Sequence, residues 1–293
     1  MSRGPADTRR PFRRFFADLG PGLITGAADD DPSGISTYSV AGAQFGYVAL
    51  WTALFTFPLM TAVQLMCARL GLVTGFGLAG VIRRRYSRRV LWAACTLLVV
   101  ANVINIAADL GGMAEAAAMV SGVPAAVWVP VFSVMIVALL GWSSYRTIAR
   151  VFKWLTLVLL AYVATAFVAH VDWRAALMAT LVPRVELSRR FFAVLEAIFG
   201  TTISPYLFFW QAAQEVEEER ALHRNLAQRR GATDDELRSA RTDVVIGMFA
   251  SNAVMYFIIL TTAATLHATG ARTIANAQQA AEALRPLAGA GAS

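Results

Sequence analysis

Hydrophobic residues run along this chain in blocks of membrane length, separated by short polar or basic connections. Seven blocks are long enough to cross a hydrocarbon core of about 30 Å, allowing some polar interruption. They lie near residues 18–46, 47–70, 90–119, 124–141, 147–170, 191–214 and 242–266. Two are broken at their centres. The first reads GPGLITGAADDDPSGISTYSVAGAQFG from Gly20, and the sixth reads EAIFGTTISPYLFFWQ from Glu196. Proline removes a helical hydrogen bond and disfavours helix at the residue before it, so both spans are predicted to unwind, at Asp31 and at Ser204. Unwound backbone at membrane depth is tolerated only where it lines a cavity or is buried in protein. Two broken spans, five apart, predict an all-α inverted-repeat transporter with its site where the breaks face each other.

Composition agrees with membrane residence. With 57% hydrophobic and 15% charged residues, the chain is too apolar for a soluble domain of its 293 residues. The first block is no cleaved signal peptide, because no short apolar core with a small-residue cleavage site precedes the aspartates. A net charge of +7 raises the question of nucleic acid, but the basic residues sit where membrane topology places them. Arg3, Arg9, Arg10, Arg13 and Arg14 form a basic tail over residues 1–17. Arg83, Arg84, Arg85, Arg88 and Arg89 separate the second and third blocks, and Arg146, Arg150 and Lys153 follow the fourth. Six arginines from Arg220 to Arg241 lie between the sixth and seventh. The positive-inside rule then places the N-terminus in the cytoplasm of a plasma (inner) membrane protein, with the transporter domain over 18–268 and an extracytoplasmic loop or tail over 269–293. Thr233 followed by Glu236 predicts a capping box that starts a helix leading into the seventh span.

The candidate chemistry is concentrated in the breaks. A carboxylate near the bilayer centre costs at least about 2.5 kcal/mol, so three in a row require compensation, and a bound cation supplies it. Neighbouring residues on a helix are about 100° apart, so Asp29, Asp30 and Asp31 cannot face one way. Asp31, directly before Pro32, is the leading metal ligand, and Asp30 joins it as a candidate. For Asp29 and Asp30, capping a half-helix or facing a vestibule stands level with ligation. From the sixth span, the carbonyl of Thr201 and the hydroxyl or carbonyl of Ser204 complete an oxygen-only set, suited to a hard cation. Asn102, Asn105 and Asp109 form one stripe on the third span, read equally as a proton path or as polar contacts between helices. Glu115 points away from that stripe, and Glu196 lies two turns outward of Ser204, as an outer-vestibule charge or a salt-bridge partner. His170, His223 and His267 read as ordinary surface residues, and Cys67 and Cys95 as apolar packing.

These residues resemble the Nramp family of divalent metal transporters. GPG, DPSG and AGAQFGY match without gaps the family's first-span pattern, in which Asp-Pro-Gly-Asn carries the same flanks. GTTISPY is similar to the sixth-span Gly-Ala-Thr-Val-Met-Pro-His, and AADL, ending at Leu110, is similar to the third-span Ala-Thr-Asp-Leu. The resemblance implies a LeuT-type fold of two inverted five-span repeats. Seven spans are present, and the chain is expected to be a C-terminally truncated product. It places the family asparagine at Gly34, the metal-binding methionine at Ser204, the sixth-span histidine at Tyr206 and a third-span glutamate at Gly112. Gly34 thereby joins the metal set, and Tyr206 joins Asp29, Asp109, Glu115 and Glu196 along the transport path. Loss of the thioether, histidine and glutamate makes the chain similar to the Nramp-related magnesium transporter branch.

The expected function is secondary transport of Mg²⁺, with Mn²⁺ as a second substrate and no proton coupling. Asp31, Asp109 and Glu115 share no helical face, which argues against a continuous proton relay. The alternatives are a proton-coupled Mn²⁺/Fe²⁺ symporter and an inactive fragment. An intramembrane Mg²⁺-dependent enzyme is disfavoured, because no arginine-bearing motif faces the aspartates to hold a phosphate. The implied partners are the transported ion and the lipid bilayer, with no cofactor, nucleic acid or obligate protein partner.

Overall fold

The computed structural model describes residues 21–142, 161–221 and 231–272. The basic tail, His223, the chain beyond Arg272 and most of the fifth predicted span lie outside the described residues. Everything described is helical or connecting; no strand occurs among these residues. The first broken span comprises α1 (Pro21–Asp29) and α2 (Pro32–Phe45), followed by a 3-10 turn over Gly46–Ala49. Then come α3 (Trp51–Thr74), α4 (Leu78–Arg85), α5 (Arg88–Ser121) and α6 (Ala125–Trp142). Residues 161–168 are helical, and α7 (Trp173–Leu181) follows. The second broken span comprises α8 (Arg189–Thr202) and α9 (Pro205–Ala221), and α10 (Asp234–Thr262) runs on through a π turn at Ala263–His267.

Local chemistry sets the boundaries. Asp31 is the N-cap of α2: its backbone is extended at φ −75° and ψ 169°, and its side chain accepts from Gly34 N. Pro32 occupies the first helical position, where its missing N–H costs nothing. Ser188 caps α8 by accepting from Phe191 N, and Ser87 caps α5 by accepting from Val90 N. The capping box at Thr233 is present in full, with the Thr233 hydroxyl accepting from Glu236 N and the Glu236 carboxylate accepting from Thr233 N. At Gly75 and Gly122 the chain leaves α3 and α5 at φ +67° and +71°, a left-handed turn that favours glycine.

Four described helical segments are long and apolar enough to cross a membrane: Trp51–Thr74, Arg88–Ser121, Arg189–Arg220 and Asp234–His267. Helix α10 is the spine. Tyr38 and Ala41 of α2, Leu50 and Ala53 around the start of α3, and Ile198 of α8 pack with Val254, Met255, Ile258 and Ile259 of α10. Lower down, Met60 and Ala68 of α3 meet Val244 and Met248. The broken first span lies parallel to α10 over its whole length. A Cβ at Gly22 would stand 2.6 Å from Val244 Cα, one at Gly26 would strike the Gly247 carbonyl, and one at Gly42 would strike the Thr262 hydroxyl. Polar contacts fasten the same pair, since Gly22 N donates to Asp243 at 2.6 Å and His267 Nδ1 stands 2.9 Å from the Ala43 carbonyl. His267 is therefore a partly buried fastening, unlike its sequence reading as a surface residue, because the π turn swings its ring under Gly46. His170 is exposed as expected.

Candidate functional site

The break between α1 and α2 faces the break between α8 and α9, with α5 on one side and α10 on the other. The contacts at its centre belong to Asp31. Its Oδ1 accepts from Gly34 N at 2.7 Å and from Ser33 Oγ at 2.6 Å. Its Oδ2 accepts from Asn105 Nδ2 at 2.9 Å and from the Tyr206 hydroxyl at 3.1 Å. The first two of these partners, Gly34 and Ser33, arise from the cap itself, because an N-cap carboxylate bends back over the first helical turn. Asn105 and Tyr206 come from α5 and α9, so one carboxylate gathers three elements.

Asp109 belongs to the same network. Its Oδ1 accepts from Ser33 N at 3.2 Å and its Oδ2 from Asn105 Nδ2 at 3.3 Å. Asn105 thus bridges two carboxylates, both accepting from its Nδ2, while its Oδ1 accepts from Ser33 Oγ at 2.9 Å. The sequence reading separated Asp31 and Asp109 because they share no helical face. The structure corrects this: they come from different helices, and the unwound turn at Ser33 reaches across to α5. Glu115 is exposed on α5 and Glu196 is exposed on α8, so neither joins the cluster.

The sixth-span break supplies oxygens. Ser204 is 5% exposed, and its hydroxyl donates to the carbonyls of Gly200 and Thr201 at 2.8 and 2.7 Å. That use of its hydrogen leaves the hydroxyl's lone pairs as acceptors. Thr202, adjacent to the predicted Thr201, makes the contact across the breaks: its hydroxyl lies 3.2 Å from the Tyr38 hydroxyl. Tyr38 is fully buried, and its ring lies against Gly34, whose added Cβ would be 3.5 Å from Tyr38 Cε2 and 3.1 Å from the Asp29 carbonyl. Gly112 backs the site from α5, where a Cβ would stand 3.3 Å from Pro32 Cβ.

Asp29 and Asp30 face α10. Both are buried, at 1% and 7% exposure, and both lie within reach of the Ser251 hydroxyl, which is 2.7 Å from Asp29 Oδ2 and 3.5 Å from Asp30 Oδ1. Sequence reasoning missed Ser251, Tyr38 and Thr202. The polar pair Ser251-Asn252 inside an otherwise apolar helix was the available signal for the first. Asn252 itself is structural: it donates to the Ala53 carbonyl at 2.6 Å and accepts from Thr56 at 2.9 Å, tying α10 to α3. Among the described residues, no group of three or more His, Cys, Asp or Glu side chains forms a metal cage. An ion here would draw on carbonyls, hydroxyls and water beside one or two carboxylates, the ligand set of a hard cation.

Known proteins resemble this chain in sequence and in fold. The sequence profile of the Nramp family, described as natural resistance-associated macrophage protein-like, matches residues 22–293. The chain is 30% identical over 288 residues to a divalent metal cation transporter, MntH, of Mesorhizobium japonicum, covering 96% of this chain and 62% of the relative. It is 31% identical over 291 residues to the MntH protein of Yersinia pestis, covering 96% and 67%. The chain thus spans about two thirds or less of the length of these curated relatives. Its fold is similar to that of the Eremococcus coleocola manganese transporter, at a TM-score of 0.71 and 20% identity, over 98% of this chain and 64% of the other. Sequence and fold together make this chain an integral membrane protein of the Nramp family.

Proposed function

We propose that the chain is a secondary transporter of divalent cations in the plasma membrane, with a cytoplasmic N-terminus, carrying Mg²⁺ and, as a second substrate, Mn²⁺. The observation that carries this reading is the oxygen-only surroundings of the paired breaks. Asp31, the Gly34 turn, Thr201 and Ser204 offer carboxylate, carbonyl and hydroxyl oxygens, with Asp30 behind them turned towards α10 and no sulfur or imidazole in either break. Magnesium keeps several of its waters and accepts one or two carboxylates, whereas a thioether favours softer ions. The relatives, a divalent metal cation transporter and a manganese transporter, support the same class of cargo.

Transport without proton coupling is part of the proposal. Tyr206 and Gly112 stand where the resemblance places the family's histidine and glutamate, and Gly112 lies against Pro32, whose Cβ would be 3.3 Å from an added Cβ. A second reading, proton-coupled Mn²⁺ symport, is favoured by one observation: Asn105 links Asp109 to Asp31. One experiment addresses both. In liposomes holding the full chain and an internal pH dye, Mg²⁺ or Mn²⁺ uptake is expected without acidification of the lumen, and Asp31→Asn is expected to abolish uptake while inserting normally. Wild-type uptake in Asp31→Asn overturns the site. Metal-dependent acidification that disappears in Asp109→Asn establishes the symporter instead.

A further inference from the structure

The carboxylates of the first break divide their hydrogen bonds unequally. Asp31 has three donors of its own, Gly34, Asn105 and Tyr206, and a fourth in the Ser33 hydroxyl, which also reaches Asn105 Oδ1 at 2.9 Å. Asp29 and Asp30 share one, the hydroxyl of Ser251. A hydroxyl has a single hydrogen, so it satisfies one of them at a time. Asp29 Oδ1 and Asp30 Oδ2 are buried with no hydrogen-bond partner. No basic side chain among the described residues forms an ion pair with either.

Two buried carboxylates with one hydroxyl donor between them and no counter-charge are costly, since most of the desolvation and all of their mutual repulsion go without offset. A divalent cation cancels both charges in one step, while a monovalent cation leaves one. The unpartnered oxygens, the lone pairs of Ser251 and bound water make a hard-oxygen ligand set. We propose that Asp29, Asp30 and Ser251 form a second divalent-cation station on the α10 side of the break, separate from the station at Asp31. The proposal rests on the reading of the chain as a divalent-cation carrier. It reverses the expected order of availability. The carboxylate at the unwinding point is already engaged by donors from three elements, and the two behind it hold the unpartnered oxygens. An ion leaving Asp31 then has an anionic site to enter without crossing an apolar wall.

The test uses MnCl₂ and the full chain purified in detergent, with bound Mn²⁺ read by electron paramagnetic resonance and stability by thermal unfolding. Asp31→Asn is expected to retain a bound Mn²⁺, and adding Asp29→Asn and Asp30→Asn to it is expected to remove that ion. Ser251→Ala in the Asp31→Asn background is expected to weaken binding about tenfold, the usual effect of losing a group that supports a metal ligand. Mn²⁺ is expected to raise the unfolding temperature of Asp31→Asn and to leave that of the triple variant unchanged. Without metal the triple variant is expected to unfold no earlier than Asp31→Asn, because two uncompensated buried charges have been removed; this separates lost binding from lost folding. If wild type binds Mn²⁺ and Asp31→Asn binds none, or if the triple variant keeps its ion, the second station is overturned while the carrier reading stands. If wild type binds neither Mn²⁺ nor Mg²⁺, the carrier reading falls and takes the station with it.

Discussion

At Ser204 a single hydroxyl stands at the position where the resemblance to the Nramp family places a thioether. It is tied back to the Gly200 and Thr201 carbonyls. Ser204→Met exchanges a small oxygen ligand for a soft and longer one, so the ratio of Mg²⁺ to Mn²⁺ uptake is expected to fall. Competition between the two ions in liposomes measures it, and an unchanged ratio removes Ser204 from the ion's surroundings. Residues of this kind were legible because each combines a polar group with a helix breaker or with an otherwise apolar span. Asp31 beside Pro32 and the Asn105/Asp109 stripe announced themselves in that way. Ser251 and Tyr38 did not, because a serine in a helix commonly bonds its own backbone and a tyrosine commonly packs as an aromatic. What gives them meaning here is the helix opposite, which periodicity along one segment does not reveal.

The element most constrained by its neighbour is α1. Gly22 and Gly26, four residues apart, present bare backbone to Val244 and Gly247, the small-residue contact that brings membrane helices close. Gly26→Val places two methyl groups where the Gly247 carbonyl already stands, and α1 must move off α10. The variant is expected to lose thermal stability and transport together, whereas Gly111→Val, with open space around it, is expected to change neither. Retained stability in Gly26→Val would show that α1 does not depend on this contact. Both breaks and the capping box at Thr233 were readable from proline, aspartate and threonine placement, since these act through chain-local chemistry. The parallel pairing of the first broken span with α10 was not readable. It is a contact between segments more than 200 residues apart, as in the bond from Gly22 N to Asp243.

Among the described residues, arginines crowd one end of the helices, while the opposite end carries the mixed charges of the 172–190 connection. The arginines around Ser87 and those at Arg238 and Arg241 lie near the foot of α3, where Gly231 N donates to the Val73 carbonyl. At the head of α3, Trp51 Nε1 donates to the Arg184 carbonyl and so holds the connection between α7 and α8 at the opposite end. This arrangement predicts sidedness. In a chain with Cys67 and Cys95 replaced by serine, Ser87→Cys is expected to react with an impermeant thiol reagent from the cytoplasmic side only. Glu186→Cys is expected to react from the outer side only. The reverse pattern would invert the proposed orientation.

The bare contact between α1 and α10 also has a mechanical meaning. Interlocked side chains hold two helices in discrete registers, because moving from one to the next requires every knob to leave its hole. Where Gly22 and Gly26 meet Val244 and Gly247 there are few knobs to lift. The first half-helix rests on α10 as a shaft rests in a plain bearing, held close by backbone contact and pinned at its start by the bond from Gly22 N to Asp243. Smoothness at this surface is what would let the ends of the broken span open and close in turn while the unbroken helix beside it stays still.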